Sequence, residues 1–183
     1  MKLEKIIRSI PNYPKKGILF RDITSLTENK KAFNFTIKKM KTISKKVSFS
    51  KIAAIESRGF IFAAVLSFLT NRPLVLLRKK GKLPGKTYSQ KFKLEYGFDI
   101  LEIHKSSLKK NDKVLIIDDL IATGGTALAG AKLVEKAKAK VSGFIFLINL
   151  FDLPGNTKLE SKGYKTFSSV SYTHLTLPTT ECV

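Results

Sequence analysis

The amino-acid sequence predicts an α/β fold with a mainly parallel sheet flanked by helices, on three observations. Four short runs, at residues 52–55, 74–77, 114–117 and 144–148, are continuously apolar, the pattern of strands covered on both faces. Helical stretches at 60–69 and 127–140 lie between them, giving the order strand, helix, strand, long insertion, strand, helix, strand. A length of 183 residues with 43% hydrophobic composition fits one domain that can bury a core, and excludes disordered, collagen-like and disulfide-scaffold classes.

The elements follow in order. Leu3, Ile6, Ile7 and Ile10 recur at helical spacing, so a short amphipathic helix is expected before Pro11 and Pro14, with a loop over 12–22 behind it. Between 28 and 47, Ala32, Phe33, Ile37, Met40, Ile43 and Val47 recur every three or four positions with lysines opposite, the mark of a surface helix covering a core. The insertion at 79–99 holds Gly81, Pro84, Gly85 and Gly97, six lysines and two tyrosines without a helical period, and reads as a hairpin or a mobile flap. His104, in the alternating edge-like run from Leu101, reads as structural. The domain is expected to span residues 1–170. No Lys or Arg falls within 166–183, and residues 171–183 are expected to be a non-native or disordered tail without function.

Lys and Arg total 34 against 14 Asp and Glu, a net charge of +20. Such an excess raises the question of an anionic partner. Only Arg8, Arg21, Arg58, Arg72 and Arg78 are arginines, and the remaining 29 cations are lysines spread along the chain. That dispersion indicates a compositional bias rather than a nucleic-acid face. Cys182 is the single cysteine, so an internal disulfide and a cysteine-rich metal site are excluded and a cytoplasmic location is expected. The longest apolar run, 60–69, is far short of the ~20 residues that span a bilayer. No Ser/His/Asp or metal-ligand cluster stands out.

The most informative segment is 114–126, a buried strand that runs into Asp118 and Asp119, a glycine loop and a helix. Gly124 and Gly125 permit a tight turn that aims successive N–H groups at one point, and the following helix adds the positive end of its dipole. With hydroxyls from Thr123 and Thr126, the loop suits a phosphate monoester. Two carboxylates at the carboxyl end of a strand can accept hydrogen bonds from vicinal sugar hydroxyls. The segment is neither a Walker loop nor a Gly-x-Gly-x-x-Gly dinucleotide motif.

This stretch resembles the ribose-phosphate motif of the type I phosphoribosyltransferases, which bind 5-phosphoribosyl-1-pyrophosphate (PRPP). Segments 12–23 (with Phe20-Arg21-Asp22), 56–62 (with Glu56-Ser57-Arg58-Gly59), 78–85 and 94–97 (Leu94-Glu95-Tyr96-Gly97) resemble the adenine branch of that family, in its order and spacing. The similarity covers roughly residues 6–166. It implies a small N-terminal hood, a flexible lid over 79–99, and transfer of the phosphoribosyl group from PRPP to N9 of adenine, giving AMP and pyrophosphate.

The resemblance also implies roles. Asp118 and Asp119 would hold the ribose hydroxyls, and Ala122, Thr123, Gly124, Gly125 and Thr126 the 5′-phosphate. Arg58, Arg78 and Lys82 would bind the pyrophosphate, a planar guanidinium being suited to a bidentate clamp. Leu19, Phe20 and Arg21 would surround adenine, Glu95 would act as general acid or base at its N7, and Tyr96 would lie in the lid. Mg²⁺ would be carried by PRPP, with no direct protein ligand. The peptide before Ser57 is expected to be cis, and the chain to be a homodimer. Two other readings remain: a purine phosphoribosyltransferase using another base, against which Phe20-Arg21 and Glu95 argue, and a non-catalytic nucleic-acid-binding regulator of the same fold, against which the filled catalytic positions argue.

Overall fold

In the computed structural model, which describes residues 1–93 and 97–172, the four apolar runs lie side by side in one sheet. They become β3 (Lys51–Ile55), β4 (Leu74–Lys79), β7 (Lys113–Ile121) and β8 (Lys140–Leu150). Two strands, β1 (Arg8–Pro11) and β2 (Leu19–Asp22), form a separate antiparallel ribbon with Ile10 opposite Phe20. The insertion supplies β5 (Thr87–Lys93) and β6 (Phe98–His104), and β9 (Thr166–Tyr172) comes last. The main sheet has the order β5-β6-β4-β3-β7-β8-β9. Its pairs from β4 through β9 are parallel, with Ile52 opposite both Leu74 and Leu115, while β6 runs antiparallel to β4 and β5.

Helices cover both faces. α1 (Thr24–Thr27), α2 (Lys30–Ser44) and α3 (Gly59–Thr70) lie on one side, α4 (Gly125–Lys136) and α5 (Gly155–Glu160) on the other. The strand pleat divides the apolar runs accordingly. Ile52, Ala54, Leu115, Ile117, Ile145 and Leu147 pack under α2 and α3, whereas Ala53, Ile55, Val114, Ile116, Phe144 and Phe146 pack under α4. Continuous hydrophobicity is therefore two alternating faces, each buried. α2 begins where the Asn29 side chain accepts a hydrogen bond from the Ala32 amide at 3.0 Å, and α3 ends on Asn71 in the left-handed conformation.

The N-terminal expectation is corrected. In place of an amphipathic helix over 3–10, a 3-10 turn (Leu3–Lys5) leads into β1, and the expected loop over 12–22 ends in β2. Two prolines leave too few residues to sustain an isolated helix, whereas pairing with β2 satisfies the backbone of 8–11 and still buries Leu3 and Ile7. The insertion is a hairpin, and His104 lies on an inner strand, since β5 rather than β6 forms the edge. β9 extends through Tyr172, and Leu150 pairs with Tyr172 at its end.

Sheet order places β4 on one side of β3 and β7 on the other, so the connections after β3 and β7 leave in opposite directions. That divergence is where open α/β sheets bind ligands. Phe62, fully buried on α3 and 6.0 Å from the Phe33 ring on α2, ties this helix to its neighbour. Phe62→Ala is expected to lower stability by about 3–5 kcal/mol, measured by urea denaturation.

Candidate active site

The turn after β3 carries Glu56, Ser57 and Arg58, and the Glu56–Ser57 peptide is cis. α3 then begins at Gly59, where a Cβ would lie 2.9 Å from the Ile117 carbonyl oxygen and 3.1 Å from the Asp118 Cα. Only glycine lets the two strand ends approach this closely. On β7, Asp118 and Asp119 precede the loop of Ala122, Thr123 and Gly124, the last at φ +75°. A second connection braces the loop. The Gly155 amide donates to the Ala122 carbonyl at 2.9 Å, and a Cβ on Gly155 would lie 2.3 Å from that oxygen.

Three adjoining cavities open on these elements. The largest, about 560 Å³, is lined by Glu56, Ser57, Arg58, Lys79, Lys82, Asp118, Asp119 and Thr126 among others. A smaller one, about 120 Å³, lies on the loop from Asp118 to Ala127 and is lined by Ala122, Thr123, Gly124, Gly125 and Thr126. The third, about 400 Å³, is lined by Leu19, Phe20 and Arg21 of β2 with Leu120, Ala122, Leu150 and Leu153. Leu120 borders all three, and Arg58 borders the first and third.

Asp118 and Asp119 are buried, and burial pushes both carboxyls above the usual carboxylate range. For Asp118 the neighbouring Asp119 charge raises it further, while its Oδ1 accepts the Asp119 amide at 2.8 Å. For Asp119 the Arg58 guanidinium opposes the rise, with Nε 2.9 Å from Oδ2. This contact is an ion pair without hydrogen-bond alignment, so Asp119 Oδ2 keeps its accepting capacity. Donors that enter the cavity would therefore relieve two under-solvated carboxylates.

Glu56 shows the opposite balance. Burial works to raise its carboxyl, but the Lys82 ammonium, the Lys79 amide and the Arg78 guanidinium outweigh it and hold it at about 2. Lys82 Nζ donates to Oε1 at 2.8 Å, Arg78 Nη2 to the same oxygen at 3.3 Å, and Lys79 N to Oε2 at 2.8 Å. Arg78 itself does not line this cavity; it is linked to it through Glu56, which does. Lys79 pairs with Asp99 across the same cavity at 3.1 Å.

On the third cavity, Phe20 meets the Tyr13 ring edge-on at 5.1 Å, and the Arg58 guanidinium lies 5.3 Å from the Phe20 ring centre. Arg21 is buried and donates to Ser9 Oγ, while Asp22 pairs with Arg8 at 3.6 Å. Glu95 and Tyr96 lie outside the described residues; Phe92, just before them, lines the largest cavity. Sequence reasoning missed the ion-pair role of Glu56, the brace at Gly155 and the apolar wall of Leu120, Leu150 and Leu153. The first two depend on side chains and loops distant in sequence, whereas Leu150, at the end of the strand that holds the apolar run 144–148, could have signalled part of the third.

Cationic turns, a strand end with paired acids and a glycine loop around adjoining cavities offer the groups that a phosphorylated sugar would need. The phosphoribosyl transferase domain family matches residues 22–176. The adenine phosphoribosyltransferase of Pelagibacter ubique (strain HTCC1062) is 58% identical over 165 residues, covering 90% of this chain and 94% of that protein. The adenine phosphoribosyltransferase structure from Thermoanaerobacter pseudethanolicus superposes with a TM-score of 0.89 at 45% identity, covering 93% of this chain and 98% of that one. The Giardia lamblia enzyme complexed with 9-deazaadenine gives a TM-score of 0.89 at 34% identity, covering 95% and 99%. The chain belongs to the phosphoribosyltransferase family, in its adenine phosphoribosyltransferase branch.

The raised carboxyls generate a prediction. An acid whose folded pKa exceeds its unfolded value weakens the fold as pH rises through that window, so the buried pair costs stability at neutral pH relative to acid. Asp118→Asn, whose Oδ1 can still accept the Asp119 amide, should raise Tm by about 2–4 °C, equivalent to ~1 kcal/mol, while PRPP binding is lost. Calorimetry beside PRPP titration checks both.

Proposed function

We propose that this protein transfers the 5-phosphoribosyl group of PRPP to N9 of adenine, releasing pyrophosphate and forming AMP in purine salvage. The observation that carries the reading is the continuity of the three cavities: a glycine loop for phosphate, Asp118 and Asp119 beside a cationic wall, and an apolar slot bordered by Phe20, all meeting at Leu120. The 9-deazaadenine of the Giardia lamblia relative and the AMP, pyrophosphate and ribose-5-phosphate of the Trypanosoma brucei relative fit the same division.

In this reading the 5′-phosphate rests on Ala122, Thr123, Gly124, Gly125 and Thr126, where main-chain N–H groups and the start of α4 favour an anion. Asp118 and Asp119 hold the ribose hydroxyls. Breaking the bond from C1 to pyrophosphate leaves an oxocarbenium-like sugar and a departing anion, so stabilisation must act on the leaving group. Arg58, Lys82 and Arg78 supply that charge. Leu19, Phe20 and Arg21 hold adenine with N9 facing C1, which replaces a bimolecular encounter by a fixed geometry. Glu95 governs protonation at N7, and the β5–β6 hairpin with Tyr96 serves as the lid that excludes water.

The described residues contain no group of three or more His, Cys, Asp or Glu side chains that could hold a metal ion. Two carboxylates beside a cavity for sugar and pyrophosphate fit Mg²⁺ delivered on those oxygens. Bound there, the ion would neutralise charge on the leaving group.

A second copy of the chain would cover α3. This helix carries no charged residue, and Ile61, Phe68 and Leu69 are exposed on it, Phe68 at 85%. We assign the homodimer interface to this face. No helix among the described residues is long and apolar enough to cross a membrane, in keeping with an enzyme of the cytoplasm. Phe68→Glu is expected to convert dimer to monomer in analytical ultracentrifugation.

The reaction is tested by pyrophosphate release in Mg²⁺ and PRPP with adenine, hypoxanthine, guanine and orotate offered separately. Turnover with adenine alone is expected, and Glu95→Gln should lower kcat by roughly 10²- to 10⁴-fold. Turnover with a different base would overturn the base assignment.

A further inference from the structure

Glu56 faces the cavity from the turn after β3, opposite the acid pair on β7. Its side chain is 6% exposed, and its two oxygens are divided between different tasks. Oε2 accepts the Lys79 amide, a main-chain donor fixed by the register of β4 with β6. Oε1 gathers two side chains at one point, Lys82 and Arg78. Arg78 in addition donates through Nη1 to the Lys82 carbonyl at 3.1 Å, closing the turn on itself. A second carboxylate, Glu102, holds the far side: its Oε2 accepts the Gly81 amide at 3.0 Å, and its Oε1 accepts from Ser89 on β5 at 3.2 Å.

We infer that Glu56 is a positioning residue for the pyrophosphate group: it fixes Lys82 at the cavity wall with Arg78 beside it on the same carboxylate oxygen, so that a diphosphate meets a preformed pair. This rests on the phosphoribosyl-transfer reading above. The physical case has three parts. Free Lys and Arg side chains lose rotamer entropy when immobilised, and a resident partner removes most of that loss from the binding step. Two cations converging on one point repel unless a negative charge lies between them, and Glu56, held at about 2, is charged throughout the working pH range. The carboxylate also stays in place when the cations turn to a ligand, because Oε2 remains on the Lys79 amide.

A glutamine keeps the shape but turns an acceptor into an NH₂ donor, which faces either the Lys79 amide or the two cations. The side chains would then disperse into solvent. Since Lys82 is half exposed, the expected effect is moderate: a roughly tenfold rise in KM for PRPP in Glu56→Gln. The inhibition constant of inorganic pyrophosphate should rise in parallel. KM for adenine should stay within about twofold while kcat falls several-fold, because the same cations stabilise the departing pyrophosphate; an unmoved adenine KM beside a raised PRPP KM is a split that general loss of structure would not produce. Glu56→Asp keeps the charge but is one methylene too short to serve Lys79 and Lys82 together, and should show the same pattern at smaller amplitude. In a Lys82→Met background, Glu56→Gln should add much less than it does alone.

Wild-type turnover with adenine is measured first, and its absence would sink the phosphoribosyl-transfer reading itself. With an active wild type, the positioning role is overturned if folded variants keep the wild-type KM for PRPP, if KM for adenine rises equally, or if pyrophosphate binds more tightly. Should Glu56→Gln not fold, Glu56→Asp and the Lys82→Met comparison decide the matter by the same readouts.

Discussion

The site depends on the close approach of two strand ends. β3 and β7 are paired neighbours, and their connections separate to opposite faces of the sheet, which opens a cleft at their carboxyl ends. Gly59 stands at this approach, where a Cβ would press on the Ile117 carbonyl oxygen and Asp118. Because α3 can start there, Arg58 stands within ion-pair distance of Asp119, and the cationic turn after β4 lies beside the acidic end of β7. Bulk at this position would separate the two halves of the site.

Electrostatics then divide the carboxylates by function. Asp118 and Asp119 are buried, and burial holds them above their ordinary range; Glu56, only half-buried as a residue, is surrounded by three donors and held well below it. The under-satisfied pair is suited to receive hydroxyl groups, and the over-satisfied acid is suited to hold cations in place. The fold keeps part of its polar capacity unspent where a ligand can use it, an arrangement of strain against function common to binding sites. Arg58 joins the halves, with its Nε on Asp119 and its guanidinium near the Phe20 ring.

Sheet, flanking helices and glycine loop were legible in the sequence because each rests on local pattern. Continuous apolar runs mark doubly covered strands, and a strand ending in Asp118-Asp119 before Gly124-Gly125 marks a ligand loop whatever the rest of the chain does. The N-terminus was misread because Leu3, Ile6, Ile7 and Ile10 suit a helix locally, while the pairing of Ile10 with Phe20 across Pro14 decides the outcome. Arg78 and Lys82 could be chosen as cations, but not the fact that Glu56 collects them, since that contact spans 26 residues from Lys82 and needs the register of β3 with β4. Gly155 was invisible for the same reason: its requirement comes from the Ala122 carbonyl in another connection.

The central claim is that one ligand runs from the glycine loop, past the acid pair, to the slot at Phe20. A crystal structure with AMP tests it most directly. The phosphate is predicted to lie on Ala122 to Thr126, the ribose hydroxyls on Asp118 and Asp119, and the base against Phe20 beside Leu120. A phosphate bound instead between Arg78 and Lys82, with the base away from β2, would contradict the account.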